Sequence, residues 1–294
     1  MLCRVGSLGI PSFVVPPFSW FQSRNTPKAY AFINTEIPRN LRHAYQALAL
    51  DERRTPFSPT VWEMPPSTVQ TQLKELKQCW FAGSHSNVGG SYPDAGIADI
   101  TLAWILQQLS SSLTFDSSYI AAQGSENGAW LAKQSPVVAR PWSCGKVYDS
   151  GDKVQNFLVG ASNRTPGTYS RLDPTTGNST GVQLRKTHEF IHPSVRVRLD
   201  LGGLGTGDSA TYNDPWPLNG WQLVKPNGRF EKLKTDLRGY SKEDLWGSEF
   251  EDSWKWVKQA ADGKVVWIAE EKLDGVEWEL VGRGEAHHAI LATS

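Results

Sequence analysis

Cysteine is scarce in this chain, and Cys3, Cys79 and Cys144 are odd in number, widely spaced and without a CxxC pair. That argues against a disulfide framework and a structural zinc site, and it predicts a reducing, cytoplasmic setting. Neither sign of charge is in excess, since 30 Lys and Arg residues balance 30 Asp and Glu residues. No overall field therefore favours nucleic acid or an anionic membrane surface as a partner. Nowhere does an apolar run approach the roughly 20 residues of a membrane-spanning helix, so no transmembrane segment is expected. Pro11, Pro16 and Pro17 interrupt the apolar stretch after Arg4, which excludes a signal-peptide reading. Internal repeats at solenoid or propeller periods are absent as well.

What is present is enough for a folded protein: 294 residues with 39% hydrophobic content can bury one sizeable core and a smaller second region. Val5 to Ile10 reads as the end of a buried strand entering a loop. From Arg39 to Leu50, the residues Leu41, Ala44, Tyr45, Leu48 and Ala49 fall at helical spacing behind Pro38, which predicts an amphipathic helix. Cys79 to Ala82 is a compact apolar run that predicts a strand, and Gly83 to Gly90 follows as a loop of small residues able to bend tightly. Ile97, Ile100, Ala103, Trp104 and Gln107 then line one face of a second helix.

Beyond about Ser112 the texture changes, and Ser150 to Thr187 is rich in Gly, Ser, Thr and Asn, as long loops and short strands are. His192 to Leu201 alternates Val195, Val197, Leu199 and Leu201 with polar partners, which predicts a half-exposed strand. Val265 to Leu273 and Val276 to Val281 flank Asp274-Gly275, a hairpin signal, yet Leu273, Val276, Leu280 and Val281 also share a helical face.

His85 is the best single candidate for chemistry, because it follows an apolar strand and lies in a loop whose backbone can approach a substrate. A catalytic histidine needs a nucleophile on one ring nitrogen and an orienting carboxylate on the other. The neighbouring Ser84 and Ser86 are poorly placed for that, and a histidine that merely pins a loop is the competing reading. His188 and His192 are four apart with no convergent cysteine or carboxylate pair, which makes a poor metal site. His287 and His288 read as solvated terminal residues. Asp51-Glu52-Arg53-Arg54 reads as a charge cluster in which cross-pairing and capping outrank catalysis. The 13 tryptophans, Trp254 and Trp256 among them, are expected to pack the edges of the later region. Asn163-Arg164-Thr165 and Asn178-Ser179-Thr180 match the glycosylation pattern and are read as unmodified loops. No metal ion or cofactor is expected.

Leu48 to Arg54, Phe57 to Trp62 and Trp80 to Pro93, in this order and spacing, resemble consecutive blocks of the type VI secretion phospholipase-effector catalytic family, which has an uncharacterised fungal branch. Asp99 to Trp104 continues the resemblance, and Arg164 to Tyr169 and Glu189 to Arg198 resemble the later part of the fungal members. The resemblance implies a partial α/β-hydrolase-like sheet with helices over residues 1–112, followed by an irregular mixed α+β accessory region over residues 113–294. It also implies a Ser-Asp-His triad acting on lipid esters, with His85 at the histidine position and a helical, acidic segment at the end of the chain.

Two departures stand out. No Gly-x-Ser-x-Gly elbow occurs ahead of His85, where the resemblance implies the nucleophile; the pattern appears only at Gly177-Asn178-Ser179-Thr180-Gly181, in the loop-rich region. Cys3-Arg4-Val5-Gly6 stands where the family has Asp-Thr-Val-Gly, so the carboxylate is missing there too. Asn87 also replaces the usual Asp, with consequences for the charge or the contacts beside His85. The expectation is a truncated or degenerate hydrolase that is inactive as this chain, a pseudoenzyme. The alternatives are an incomplete gene model of an active ester or lipid hydrolase and a non-catalytic binding module. A nucleic-acid or metal-binding function has no basic stripe or ligand cluster behind it.

Overall fold

The computed structural model describes residues 37–134, 136, 140–149, 161–173, 179–213, 215–225, 253–259 and 265–281. The expected strand at Val5 to Ile10 and the His287-His288 pair lie outside the described residues. A mixed sheet of six strands organises the chain, in the order β1 (His43–Ala49), β2 (Glu75–Phe81), β5 (Glu189–Ile191), β8 (Val265–Glu270), β7 (Lys255–Gln259), β6 (Gln222–Val224). The first four are parallel neighbours, whereas β7 runs antiparallel to both β8 and β6. A separate antiparallel pair, β3 (Ser170–Leu172) with β4 (Ser179–Gln183), forms the second small sheet. The large sheet thus unites strands from both sides of residue 112.

Among the described residues five α-helices accompany the strands: α1 (His85–Gly89), α2 (Gly96–Leu109), α3 (Ser117–Leu131), α4 (Pro193–Asp200) and α5 (Gly275–Val281). On one face of the sheet, Tyr45, Cys79, Phe81 and Phe190 pack with Ile97, Ile100 and Trp104 of α2. On the other face, Leu48, Trp80, Ile191 and Ile268 pack with Val195 of α4 and with Tyr212 and Leu218. Trp80 and Trp104 are among the largest fully enclosed side chains, so tryptophan fills the centre of the protein as well as its edges. Cys79 and Cys144 are buried free thiols.

The strand at Cys79 to Ala82, the second helix and the loop-rich texture of the described parts of 150–187 appear as expected. The helix expected over Arg39 to Leu50 is instead strand β1. Its odd-numbered Tyr45, Ala47 and Ala49 face one core, while Ala44 and Leu48 face the other side. A strand covered on both faces loses its apolar-polar alternation, and its unbroken apolar content then imitates a helix.

The strand expected over His192 to Leu201 is instead helix α4. Pro193 takes its first turn, where a missing N–H costs nothing, and the His192 side chain accepts from the Ser194 N–H as the cap. The alternation was misleading because the polar positions are interior too: Arg196 and Arg198 are both buried. The ambiguous end divides between the two alternatives, with strand β8 before Asp274-Gly275 and helix α5 after it. Helix α3 was not expected. Asp116 caps it through the Ser118 N–H at 3.0 Å, in a sequence whose middle, Ala121 to Ala129, is made of small and polar residues.

Candidate active site

The carboxyl ends of β1, β2, β5 and β8 lie along one edge of the sheet, because the four strands are parallel. In open α/β sheets this is the edge where ligands bind. The turns after β1 and β2 bring the charged segment 51–54 beside Gly83, Ser84 and His85. Pairing continues past the strands, with the Leu50 N–H donating to Phe81 O at 2.9 Å and the Asp51 N–H to Gly83 O at 3.0 Å.

Gly83 makes the bend possible. Its φ is +100°, and a Cβ there would stand 2.6 Å from the Cβ of Asn87. The segment after it is a single helical turn rather than an open loop, with His85 as its first residue. Asn87 secures that turn: its Oδ1 accepts from the Ser84 N–H at 3.2 Å and from Ser84 Oγ at 3.0 Å. The same oxygen accepts from the Tyr148 N–H at 3.1 Å, while Nδ2 donates to Lys146 O at 2.7 Å. The Asn in place of the family's Asp therefore ties the turn to the 146–148 segment, and the donation from Nδ2 is one that a carboxylate could not make.

Two acidic residues hold this corner. Asp51 Oδ2 accepts from the Gly83 N–H at 2.6 Å and from Tyr212 Oη at 2.9 Å. Burial raises the Asp51 carboxyl above its ordinary value, although these two bonds and the nearby Arg198 and Arg53 oppose the shift. Glu52 is enclosed and accepts four hydrogen bonds. Arg54 gives its backbone N–H and Nε to Oε1, both at 2.9 Å, and its Nη2 to Oε2 at 2.8 Å. The fourth comes to Oε2 from the backbone N–H of His85 at 3.2 Å. Burial pushes the Glu52 carboxyl up, but Arg54 and these bonds outweigh it, and the group ends below its ordinary value. Cross-pairing within the 51–54 cluster is thus observed, although it follows a strand rather than a helix.

The His85 imidazole is half-buried against the ring of Phe57, at a centroid distance of 5.0 Å. Phe57 in turn carries the Arg54 guanidinium 3.9 Å over its ring centre. Among the described residues the ring nitrogens of His85 have no hydrogen-bond partner. Burial lowers the His85 pKa from its ordinary value; Glu52 opposes the shift, and Arg54 and Arg164 add to it. A neutral imidazole with free nitrogens is a competent proton acceptor at neutral pH. Ser84 cannot serve as its nucleophile, because that hydroxyl is buried and donates to Asn87.

His192 forms the more complete-looking constellation. Its Nε2 lies 2.7 Å from Glu277 Oε1 and its Nδ1 2.8 Å from Ser194 Oγ. Nδ1 also accepts the Ser194 N–H at 3.1 Å, so this nitrogen serves the helix cap and the Nε2 proton belongs to the Glu277 contact. His192, Ser194 and Glu277 are all buried, and His192 has 0% exposure. The group is a packed polar network inside the fold. Both ring nitrogens of His192 are engaged by Ser194 and Glu277, so it does not pair with His188 around a metal. Among the described residues no group of three His, Cys, Asp or Glu side chains could hold a metal ion, and no helix is long and apolar enough to cross a membrane.

No curated protein and no solved structure matches the chain. A family model does match: over residues 4–108, which hold β1, β2, α1 and nearly all of α2, the chain is similar to the family described as T6SS, phospholipase effector Tle1-like, catalytic domain.

Proposed function

We propose that this chain carries the histidine side of an α/β-hydrolase-like site for lipid esters, with His85 in the position of the general base, and that residues 1–294 do not turn over esters unaided. The observation that carries this reading is the state of His85. It stands at the carboxyl edge of the parallel strands, with a lowered pKa and ring nitrogens free of partners among the described residues. A histidine kept only for structure would have its nitrogens engaged by neighbouring groups, as those of His192 are by Ser194 and Glu277. Similarity to a phospholipase-effector catalytic domain supports a lipid ester as the substrate class. No Gly-x-Ser-x-Gly elbow precedes His85, and the serine of the one such pattern, Gly177-Asn178-Ser179-Thr180-Gly181, begins β4 of the small antiparallel sheet instead of a strand-to-helix turn, which supports the lack of turnover. An imidazole without a positioned nucleophile and carboxylate gives little acyl-transfer chemistry.

The experiment is to incubate the 294-residue chain with a short-chain nitrophenyl ester and with phosphatidylcholine vesicles. Release of product at the buffer rate, for the chain and for His85→Ala alike, is the expected result. Turnover that disappears in His85→Ala would show that the chain supplies its own nucleophile.

A further inference from the structure

The Asp51-Glu52-Arg53-Arg54 segment reads in the sequence as a charge cluster of cross-pairing and capping residues, and Glu52 is among the most enclosed carboxylates of the described residues, with 2% exposure. Burying a carboxylate is costly unless it is fully paired and hydrogen-bonded. Three of its four bonds come from Arg54, close in sequence, and the fourth reaches across the sheet edge to the backbone of His85.

We propose that Glu52 is the positioning carboxylate of His85: it anchors the backbone from which the imidazole projects and supplies the negative charge nearest to that ring. This rests on the reading of His85 as the base. Glu52 does not touch the ring nitrogens, which leaves them open, so its influence passes through the peptide N–H and through the field. The charged groups around the ring are Glu52 and Arg54 from the segment after β1 and Arg164 from the segment before β3. Arg164 is itself buried and bonds only to neutral acceptors, namely Ser162 O at 3.2 Å, Ser162 Oγ at 3.1 Å, Arg54 O at 2.9 Å and Phe57 O at 2.9 Å. By grasping the carbonyls of Arg54 and Phe57, it fixes the turn Thr55–Phe57 that sets the phenyl ring against His85. Without Glu52, the imidazole would face two cations and no anion.

The test is a pH titration of the histidine ring signals by NMR on the full chain, with the His85 signal assigned by its loss in His85→Gln. In Glu52→Gln the His85 pKa should fall by about half a unit or more, because burial and both arginines remain and the opposing charge is gone. In Arg54→Gln it should rise, since the carboxylate stays and a cation is removed. A folded Glu52→Gln whose His85 titrates as in the parent would overturn the proposal, and so would an Arg54→Gln that leaves it unmoved. The second variant decides the question if the first fails to fold. A purely structural Glu52 would lower thermal stability without moving the titration. Turnover of esters by the unaltered chain would refute the functional reading and leave this result intact, whereas an unmoved titration would refute the role of Glu52 alone.

Discussion

Replacing Arg196 by methionine should reveal how much of this fold rests on a buried ion pair. Arg196 Nε lies 3.1 and 2.9 Å from the two carboxylate oxygens of Glu270, and Nη2 lies 2.8 Å from Oε1. Both residues are buried, and the guanidinium also lies 4.8 Å from the ring centre of Trp254. Methionine restores most of the apolar volume but strands a carboxylate, for which a loss of about 3–5 kcal/mol is the ordinary penalty. Burial already raises the pKa of Glu270 above its usual value, and Arg196 is the largest influence holding it down. A raised carboxyl pKa means that the fold prefers the protonated form. Its ionisation therefore opposes folding above the unfolded value and ceases to do so as pH falls. In Arg196→Met that pKa climbs further, so the deficit should be full at pH 7.5 and smaller at pH 5. Urea denaturation followed by tryptophan fluorescence at the two pH values, with Arg196→Met/Glu270→Gln as the control that removes the stranded charge, measures it. A loss below about 1 kcal/mol, or one that does not change with pH, would refute the reasoning.

Gly83→Ala should destabilise the protein by about 2 kcal/mol, because an L side chain both resists the positive φ and meets Asn87; an unchanged midpoint of thermal melting would contradict this. His192→Ala should cost about 3 kcal/mol through the lost cap of α4 and the Glu277 oxygen left without its donor. That variant should leave the His85 titration in place, and a displaced His85 signal would tie His192 to the site.

The parts of the fold that the sequence makes legible are those in which one physical signal acts alone. Strand β2 closes in the apolar run Cys79 to Ala82, followed by Gly83 at positive φ, and α2 has one broad buried face formed by Ile97, Ile100, Ala103 and Trp104. Strand β1 and helix α4 were exchanged for each other, and for the same reason. Tyr45 and Leu48 are buried on opposite faces of one strand, and Val195 and Val197 pack in different clusters while Arg196 and Arg198 of the same helix are buried too, so neither element shows the polarity pattern from which its period is read. Arg196 and Arg198 look solvent-facing in a sequence because their partners, Glu270 for one and the carbonyls of Ser143 and Gly145 for the other, are tens of residues away. The site divides similarly. His85 stands out locally, by its strand and its glycines, whereas Glu52, Asp51 and Arg164 acquire their places only when β1 and β2 pair and a segment about 80 residues after His85 closes over the turn Thr55–Phe57.

The central claim is that the chain holds the base of a hydrolase site without its nucleophile, and covalent labelling tests it most directly. The intact 294-residue chain is treated with an alkyl fluorophosphonate, which phosphonylates an activated serine, and its mass is measured. No adduct should form, because His85 has no activated hydroxyl to serve and Ser84 is committed to Asn87. A stoichiometric adduct on any serine of the chain, abolished by His85→Ala in a protein that still folds, would contradict the account.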